Sequence, residues 1–162
     1  GMHQYIITFV TTVILTLSTT GVVMAESEGK VKTHGVHHIG LAVKDLQTTS
    51  QFFIDALDFK KVGEKPKYPE IFGSDGNIMV TLWQVTNPET AESFDRKNNI
   101  GLHHIAFKLG SFEDLNAMHQ KIKDWPDVKI EFSPELMGGG PAKHMMFTEP
   151  GGIRLEFTVV PE

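Results

Sequence analysis

The sequence predicts an α+β fold made of two tandem βαβββ modules that together form a curved sheet around a central cavity. The first observation is a repeat, because residues 35–43 are GVHHIGLAV and residues 101–109 are GLHHIAFKL. The second is that DGNIMVTL at residues 75–82 aligns with PGGIRLEF at residues 150–157. A repeat of this length indicates two copies of one structural unit, which we place at residues 36–90 and 101–160.

Composition limits the classes of function. The chain has 162 residues and a formal net charge of −5, with no cluster of Lys and Arg, so we expect no nucleic-acid partner. It has no Cys, which excludes disulfides, thiolate catalysis and Cys-ligated zinc. The length suits one compact domain, which we place at residues 36–160.

The first 25 residues differ from the rest, because they contain no Asp, Glu, Lys or Arg. Their apolar run at residues 6–23 predicts an export signal cleaved near Ala25, or else a retained membrane anchor. A third possibility is an extra packed segment of the fold. A signal peptide would make the protein periplasmic or secreted, whereas otherwise it would be membrane-anchored or cytoplasmic. A membrane is an expected partner only if residues 6–23 are retained.

The first module begins with a strand, because Ile39, Leu41 and Val43 alternate with smaller or polar residues. Asp45 is placed to cap a following helix, LQTTSQFFIDAL, whose apolar residues form one stripe. Two further strands are predicted at FKKVGE and NIMVTLWQV, with a turn at residues 74–77 before the second.

The second module repeats this order. Ile105, Phe107 and Leu109 share one face of a strand, and Ser111 with Asp114 forms a capping pattern before a helix. Strands are then predicted at VKIEFS, KHMMFTE and GIRLEFTVV, with a turn at residues 149–152. The segment at residues 87–99 is predicted to link the modules.

Alternation divides each strand into two faces. One face carries large apolar side chains, which must meet the helices. The other face carries polar and small residues, a composition typical of a lined cavity. These residues are His38, Gly40, Ala42, Met79, Thr81, Trp83, His104, Ala106, Lys108, Arg154, Glu156 and Thr158. His37 and His103 have the opposite parity and are expected to pack against the helices and form hydrogen bonds, or else to support the neighbouring His38 and His104.

The stretches HHIGLAVKDL, GLHHIAF and PGGIRLEF resemble the vicinal oxygen chelate superfamily of glyoxalases, bleomycin resistance proteins and extradiol dioxygenases. The resemblance covers residues 36–162 and implies metal ligands at His38, His104 and Glu156. The family's fourth position, Glu or Gln in glyoxalase I, falls on Thr81, which is a poor ligand. Two His and one carboxylate suit one divalent ion, and Fe, Mn, Zn and Ni all remain open.

Other residues are assigned to the same cavity. Glu156 or His144 is expected to move a proton, although the sequence favours an ordinary solvent-facing side chain for His144. Arg154 is expected either to bind an anionic substrate group or to form an ion pair. Met79, Thr81, Trp83 and Met146 are predicted to line the substrate pocket, with plain packing as the alternative for Met79 and Trp83. Lys108 is predicted at the rim, and the Gly-rich loop at residues 137–144 is a candidate lid.

The resemblance leaves three functions open. The first is a metal-dependent lyase or isomerase of the glyoxalase type, acting on a small substrate chelated through vicinal oxygens. The second is a non-haem Fe(II) dioxygenase, for which Met146 stands where such enzymes commonly carry a Tyr. The third is a metal-free protein that binds a small molecule, like a bleomycin resistance protein. A homodimer is expected by analogy.

Overall fold

The computed structural model describes residue 2, residues 6–16 and residues 29–162, which fall into two units, Gly1–Gly35 and Val36–Glu162. In the first unit, residues 6–16 contain neither helix nor strand. The predicted signal or anchor, at residues 1–25, lies partly outside the described residues. Neither helix among the described residues has the length and the apolar composition of a membrane span.

The second unit contains the two predicted modules. Module 1 consists of β1 (His38–Val43), α1 (Leu46–Gln51, continued by a π-helical turn at Phe52–Ala56), β2 (Lys60–Lys65), β3 (Glu70–Ser74) and β4 (Met79–Gln84). Module 2 consists of β5 (Ile105–Lys108), α2 (Phe112–Ile122), β6 (Lys129–Leu136), β7 (Lys143–Thr148) and β8 (Arg154–Val159). Strand β3 is the one element whose residues the sequence patterns did not specify.

Both helices start as their capping residues predict. Asp45 Oδ1 accepts a hydrogen bond from the Thr48 amide at 2.9 Å, and Ser111 Oγ accepts one from the Asp114 amide at 3.0 Å. Each cap satisfies an amide that has no partner within its helix, which fixes where the helix begins. Each helix is thereby positioned to cover the apolar face of its sheet.

Each module forms its own four-stranded sheet with the same topology, β1-β4-β3-β2 and β5-β8-β7-β6. The first strand of each module pairs in parallel with the last, and the other pairs are antiparallel. In register, Gly40 lies opposite Thr81, and its repeat equivalent Ala106 lies opposite Glu156. This correspondence confirms the internal alignment of the two modules.

One apolar core joins the modules. Phe52 of module 1 is fully buried, and its ring centroid lies 5.9 Å from those of Trp125 and Phe147 in module 2. Phe53 and Phe59 likewise contact Phe107. Aromatic side chains of this size contribute large buried areas, so these contacts help to hold the modules together.

A buried carboxylate also connects the modules. Glu149, in the turn before β8, is completely buried and accepts a hydrogen bond at 3.0 Å from the Thr49 hydroxyl on α1. It also accepts bonds from the amides of Gly151 at 2.8 Å and Ile153 at 3.1 Å. Burial raises the pKa of Glu149 above its ordinary value, although these hydrogen bonds oppose the shift.

Two grooves between the modules run along β1 and β5, which are the edge strands of their sheets. The edge of β1 and the β7–β8 turn of module 2, at Gly151 and Ile153, line one groove of about 330 Å³. The edge of β5 and the β3–β4 turn of module 1, at Asn77 and Ile78, line another of about 610 Å³. The two grooves therefore follow the approximate twofold symmetry of the sequence repeat.

Candidate active site

The candidate site lies on the face of β8 that points away from the core. Leu155, Phe157 and Val159 belong to the core, whereas Arg154, Glu156 and Thr158 alternate with them and share the opposite face. Arg154 and Glu156 are nevertheless only 8% and 7% exposed. Charged side chains are seldom buried without partners, so their contacts define the chemistry of this face.

Glu156 is held by two partners. Its Oε2 lies 3.0 Å from Nδ1 of His144 on β7, and its Oε1 accepts a hydrogen bond from the Thr158 hydroxyl at 2.8 Å. The His144 ring packs against Phe132, with ring centroids 4.7 Å apart. The structure therefore joins the two residues that were predicted to move a proton, and it places them on neighbouring strands.

Arg154 forms an ion pair, which was one of its two predicted roles. Its Nε donates to Glu131 Oε2 at 2.9 Å, and its second terminal nitrogen lies 2.7 Å from the same oxygen. Arg96, from the linker between the modules, lies 3.0 Å from Glu131 Oε1. One carboxylate thus bridges two guanidinium groups.

A cavity of about 650 Å³ adjoins this ion-pair group. Thr148, Gly152 and Arg154 line it from the sheet of module 2, and linker residues 91–97 and Asn99 line its other side. This volume falls in the range of small-molecule sites. The linker, which the sequence predicts only as a connection, therefore forms part of a cavity wall.

The corresponding face of module 1 is built differently. Thr81 is 3% exposed, and its hydroxyl accepts a hydrogen bond from the Trp83 indole nitrogen at 2.9 Å. A Cβ on Gly40 would lie 3.2 Å from Thr81 Oγ1 and 3.5 Å from the indole nitrogen, so glycine leaves room for this pair. Trp83 and Met79 are half-buried on the same face. Thr81 therefore supports Trp83 rather than serving as an available fourth ligand.

Glu70 is a buried acidic residue of this face that the sequence analysis did not find. It lies opposite Trp83 in the β3–β4 pair and is 2% exposed. Its Oε1 lies 3.5 Å from Lys65 Nζ, whereas Oε2 has no hydrogen-bond partner among the described residues. Its position in the unassigned strand β3 explains why alternation did not reveal it.

The expectation that His37 and His103 pack against the helices is wrong, because both are exposed. Strand β1 begins at His38 and β5 at Ile105, so both residues precede the paired part of their strands and alternation does not apply to them. Instead, Nδ1 of His37 and of His103 lies 2.8 Å from Nδ1 of the next residue, His38 or His104.

His103 also approaches the ion-pair group of module 2. Its Nδ1 lies 3.4 Å from a terminal nitrogen of Arg154. Partial desolvation of the ring, together with the charge of Arg154, lowers the pKa of His103 below its ordinary value. The exposed residue next to His104 is therefore coupled electrostatically to the candidate site.

The three predicted metal ligands have different surroundings. His38 is exposed, His104 is half-buried just before β5, and Glu156 is buried against His144. Among residues 29–162 and the described residues before them, no three His, Asp or Glu side chains converge so as to hold a metal ion. The assignment of His38, His104 and Glu156 as ligands thus stays a prediction.

The remaining predicted residues occupy the expected face. Met146 is 4% exposed and lies directly opposite Glu156 in the β7–β8 pair, so it forms part of the wall beside the His144–Glu156 contact. Lys108 is exposed at the end of β5. Glu131 and Arg96 were missed, because no local pattern indicates that a strand and a distant linker share one ion-pair group.

Two βαβββ modules, each with its own four-stranded sheet, define a small α+β domain built by duplication of one unit. The profile of the Glyoxalase/Bleomycin resistance protein/Dioxygenase superfamily matches residues 35–157. The chain therefore belongs to this superfamily, as the repeat and its motifs predict.

Similar proteins agree with this membership. The uncharacterized protein YwkD of Bacillus subtilis is 27% identical over 94 residues, which cover 53% of this chain and 70% of YwkD. A glyoxylase/bleomycin resistance protein/dioxygenase domain from Frankia superposes with a TM-score of 0.69 at 20% identity, covering 80% of this chain and all of that one. At these identities, the solved structures establish the fold alone.

Two further solved structures carry names that specify an activity. The fosfomycin resistance protein FosX of Listeria monocytogenes superposes with a TM-score of 0.62 at 20% identity, covering 80% of this chain and 96% of FosX. Lactoylglutathione lyase of Agrobacterium tumefaciens superposes with a TM-score of 0.59 at 17% identity, with coverage of 80% and 96%. The same fold thus occurs in proteins with different named activities, so the activity has to be argued from the site.

Proposed function

We propose that this protein is a glyoxalase-type lyase or isomerase that acts on a small oxygenated substrate at the outer face of β8. The observation that carries the proposal is the 3.0 Å contact between His144 Nδ1 and Glu156 Oε2. Their side chains are 16% and 9% exposed, so the pair is sheltered but still in contact with solvent. Positioned carboxylate and imidazole groups of this kind are typical of general acid–base catalysis.

The proposed step is removal of a proton from a carbon next to a carbonyl group. Glu156 Oε2 accepts the proton, while the Thr158 hydroxyl holds Oε1 and fixes the orientation of the carboxylate. His144 lies beside the accepting oxygen and is the more exposed member of the pair, so it passes the proton to or from solvent. General acid–base catalysis contributes roughly 10²- to 10⁴-fold to rates, which sets the expected effect of removing either residue.

The donor chemistry of His38, His104 and Glu156 suits a divalent ion such as Fe, Mn, Zn or Ni, which would polarise vicinal oxygens when bound. The described residues of a single chain do not bring these donors together, so the geometry does not fit a formed centre. We therefore derive no step through a metal. We also propose that the protein forms a homodimer, because β1 and β5 are edge strands next to open grooves.

A second candidate is a protein that binds a small molecule without a metal, in the manner of bleomycin resistance proteins. It is favoured by the separation of the three candidate ligands and by the cavity of about 650 Å³. Dioxygenase activity is less well supported, because the residue opposite Glu156 is the buried thioether of Met146 and offers no acid–base group.

The deciding experiment measures proton exchange and metal content on the same preparations. Small α-hydroxy acids and α-hydroxy ketones are incubated with the protein in D₂O, and deuterium incorporation is followed by NMR. We expect exchange with at least one compound in the parent and its loss in Glu156→Gln. No exchange in the parent, with or without added Fe, Mn, Zn or Ni, would refute the enzyme proposal and favour the binding protein.

Metal content is compared between the parent and a His38→Ala, His104→Ala double variant purified without chelator. The control is a His34→Ala, His119→Ala double variant, which removes as many imidazoles from outside the candidate site. About one equivalent of metal in the parent and the control, but not in the first variant, would establish both histidines as ligands. Equal metal content in all three proteins would contradict the ligand assignment.

A further inference from the structure

We propose that Arg154 and Arg96 form a binding site for the carboxylate group of a small 2-oxo or 2-hydroxy acid. In the absence of that ligand, the Glu131 carboxylate occupies the site. The inference deepens the proposed function, on which it rests for the identity of the neighbouring proton-transfer pair. It names the substrate class and adds two residues, Arg96 and Glu131, to the site.

The first support is the geometry of the ion-pair group. Glu131 Oε2 is contacted by Nε of Arg154 at 2.9 Å and by a terminal nitrogen of Arg154 at 2.7 Å. Its other oxygen, Oε1, lies 3.0 Å from Arg96. Two guanidinium groups thus surround both oxygens of one carboxylate, an arrangement that recognises carboxylate ligands with both strength and orientation.

The second support is the difference in exposure among the three side chains. The side chain of Arg154 is 10% exposed and lies on the sheet, whereas the side chains of Glu131 and Arg96 are 34% and 31% exposed. The partly exposed Glu131 carboxylate can rotate into water, and a ligand carboxylate that takes its place would keep Arg154 paired. The Arg154 guanidinium is buried and cannot turn into water, so it requires an anionic partner whenever Glu131 rotates away.

The third support is the cavity of about 650 Å³ lined by both arginines. Asp95 also lines it, but its carboxylate accepts hydrogen bonds from the amides of Lys97 and Asn98 and from the Asn98 side chain, so it is engaged within its own loop. Glu92 and Lys97 line the same space and balance each other in charge. Rotation of Glu131 would therefore leave the guanidinium pair free to accept a ligand carboxylate.

The position of this group relative to Glu156 selects the substrate class. Arg154 and Glu156 are alternate residues of β8 on one face, so their Cα atoms are separated by about 7 Å along the strand. A ligand carboxylate bound by Arg154 would therefore lie on the same face of β8 as Glu156, one side-chain position away. Small 2-oxo and 2-hydroxy acids place their reactive carbon and second oxygen directly beside the carboxylate.

The test is binding of pyruvate in the presence of a chelator, measured by isothermal titration calorimetry on the full chain. We expect Glu131→Gln to bind pyruvate about fivefold more tightly than the parent, which corresponds to removal of a competing ion pair worth ~1 kcal/mol. Arg154→Gln and Arg96→Gln should each weaken binding. Glu135→Gln, an exposed change on the same strand, should bind like the parent. Methyl pyruvate, which lacks the charge, should not bind.

Three results would overturn the proposal. They are unchanged or weaker pyruvate binding in Glu131→Gln, equal binding of methyl pyruvate, and no binding in either the parent or Glu131→Gln. Circular dichroism establishes that each variant is folded. Arg96→Gln changes the linker and not the sheet, so its pyruvate affinity tests the site even if Arg154→Gln fails to fold. Because the assay needs neither metal nor turnover, its failure is distinguishable from failure of the proton-exchange experiment.

Discussion

Nδ1 of His144 lies 3.0 Å from Glu156 Oε2, and the contact joins neighbouring strands β7 and β8 of module 2. The adjacent Thr158 hydroxyl holds the other carboxylate oxygen at 2.8 Å. The pair therefore has a defined geometry within one module. This arrangement separates two roles of His144, which are to hold Glu156 in place and to carry a proton.

Two substitutions of His144 distinguish these roles. In His144→Asn, the side-chain amide nitrogen can replace Nδ1 as a donor to Glu156 but cannot carry a proton at neutral pH. We expect the unfolding free energy to stay close to that of the parent in His144→Asn and to fall by about 1–3 kcal/mol in His144→Leu. Proton exchange should fall in both. Urea unfolding and NMR exchange measure the two effects, and full exchange in His144→Asn would exclude proton transfer by His144.

Thr81 is predicted to matter through Trp83. The Thr81→Val variant keeps the shape of the side chain but removes the acceptor of the indole hydrogen bond at 2.9 Å. We expect the unfolding free energy to decrease by about 1 kcal/mol, with a change in Trp83 fluorescence. Thr86→Val, at an exposed position, is the control and should change neither quantity. A Thr81→Val variant as stable as the parent would show that the hydrogen bond contributes nothing.

Gly151 leaves space for the side chains of Glu149 and Thr49. A Cβ there would lie 2.6 Å from Glu149 Oε1 and 2.7 Å from Thr49 Oγ1, which are both buried at the junction of the modules. We expect Gly151→Ala to lower the unfolding free energy by about 1–3 kcal/mol. Gly139→Ala is the matched control, because a Cβ at Gly139 meets nothing within 4 Å. Equal stability of the two variants in thermal unfolding would contradict the predicted steric conflict.

Glu149 makes the free energy of unfolding depend on pH. Because burial raises its pKa in the folded protein, the folded state binds the proton more tightly than the unfolded state does. The stability that Glu149 contributes is therefore greatest at low pH. It declines as the pH rises from the ordinary value of 4.5 through the raised pKa, and it is constant above that.

The measurement compares the parent with Glu149→Ala. We expect the difference in unfolding free energy between the two proteins to shrink as the pH increases through this window. Subtraction removes the contributions of the other carboxylates, which are common to both proteins. A difference that grows with pH would show that the hydrogen bonds from Thr49, Gly151 and Ile153 outweigh the effect of burial.

Alternation and capping predicted most elements of the fold. In β1, β4, β7 and β8, the residues that join the apolar core alternate with residues of the other face, and Asp45 and Ser111 cap the starts of the helices. Strand β3 was not specified, because its short sequence EIFGS does not alternate, and its buried positions include Glu70. Alternation also failed for His37 and His103, which lie outside the strand ladders.

The sequence by itself determined the repeat, the two-module architecture and the polar face that carries Arg154 and Glu156, because these follow from local periodicity and internal similarity. Only the tertiary structure decided the partners of the charged side chains. Glu131 and Arg96 reach Arg154 from another strand and from the linker, and Thr49 reaches Glu149 from the other module. Such contacts depend on how distant segments pack in space, which no pattern within one segment encodes.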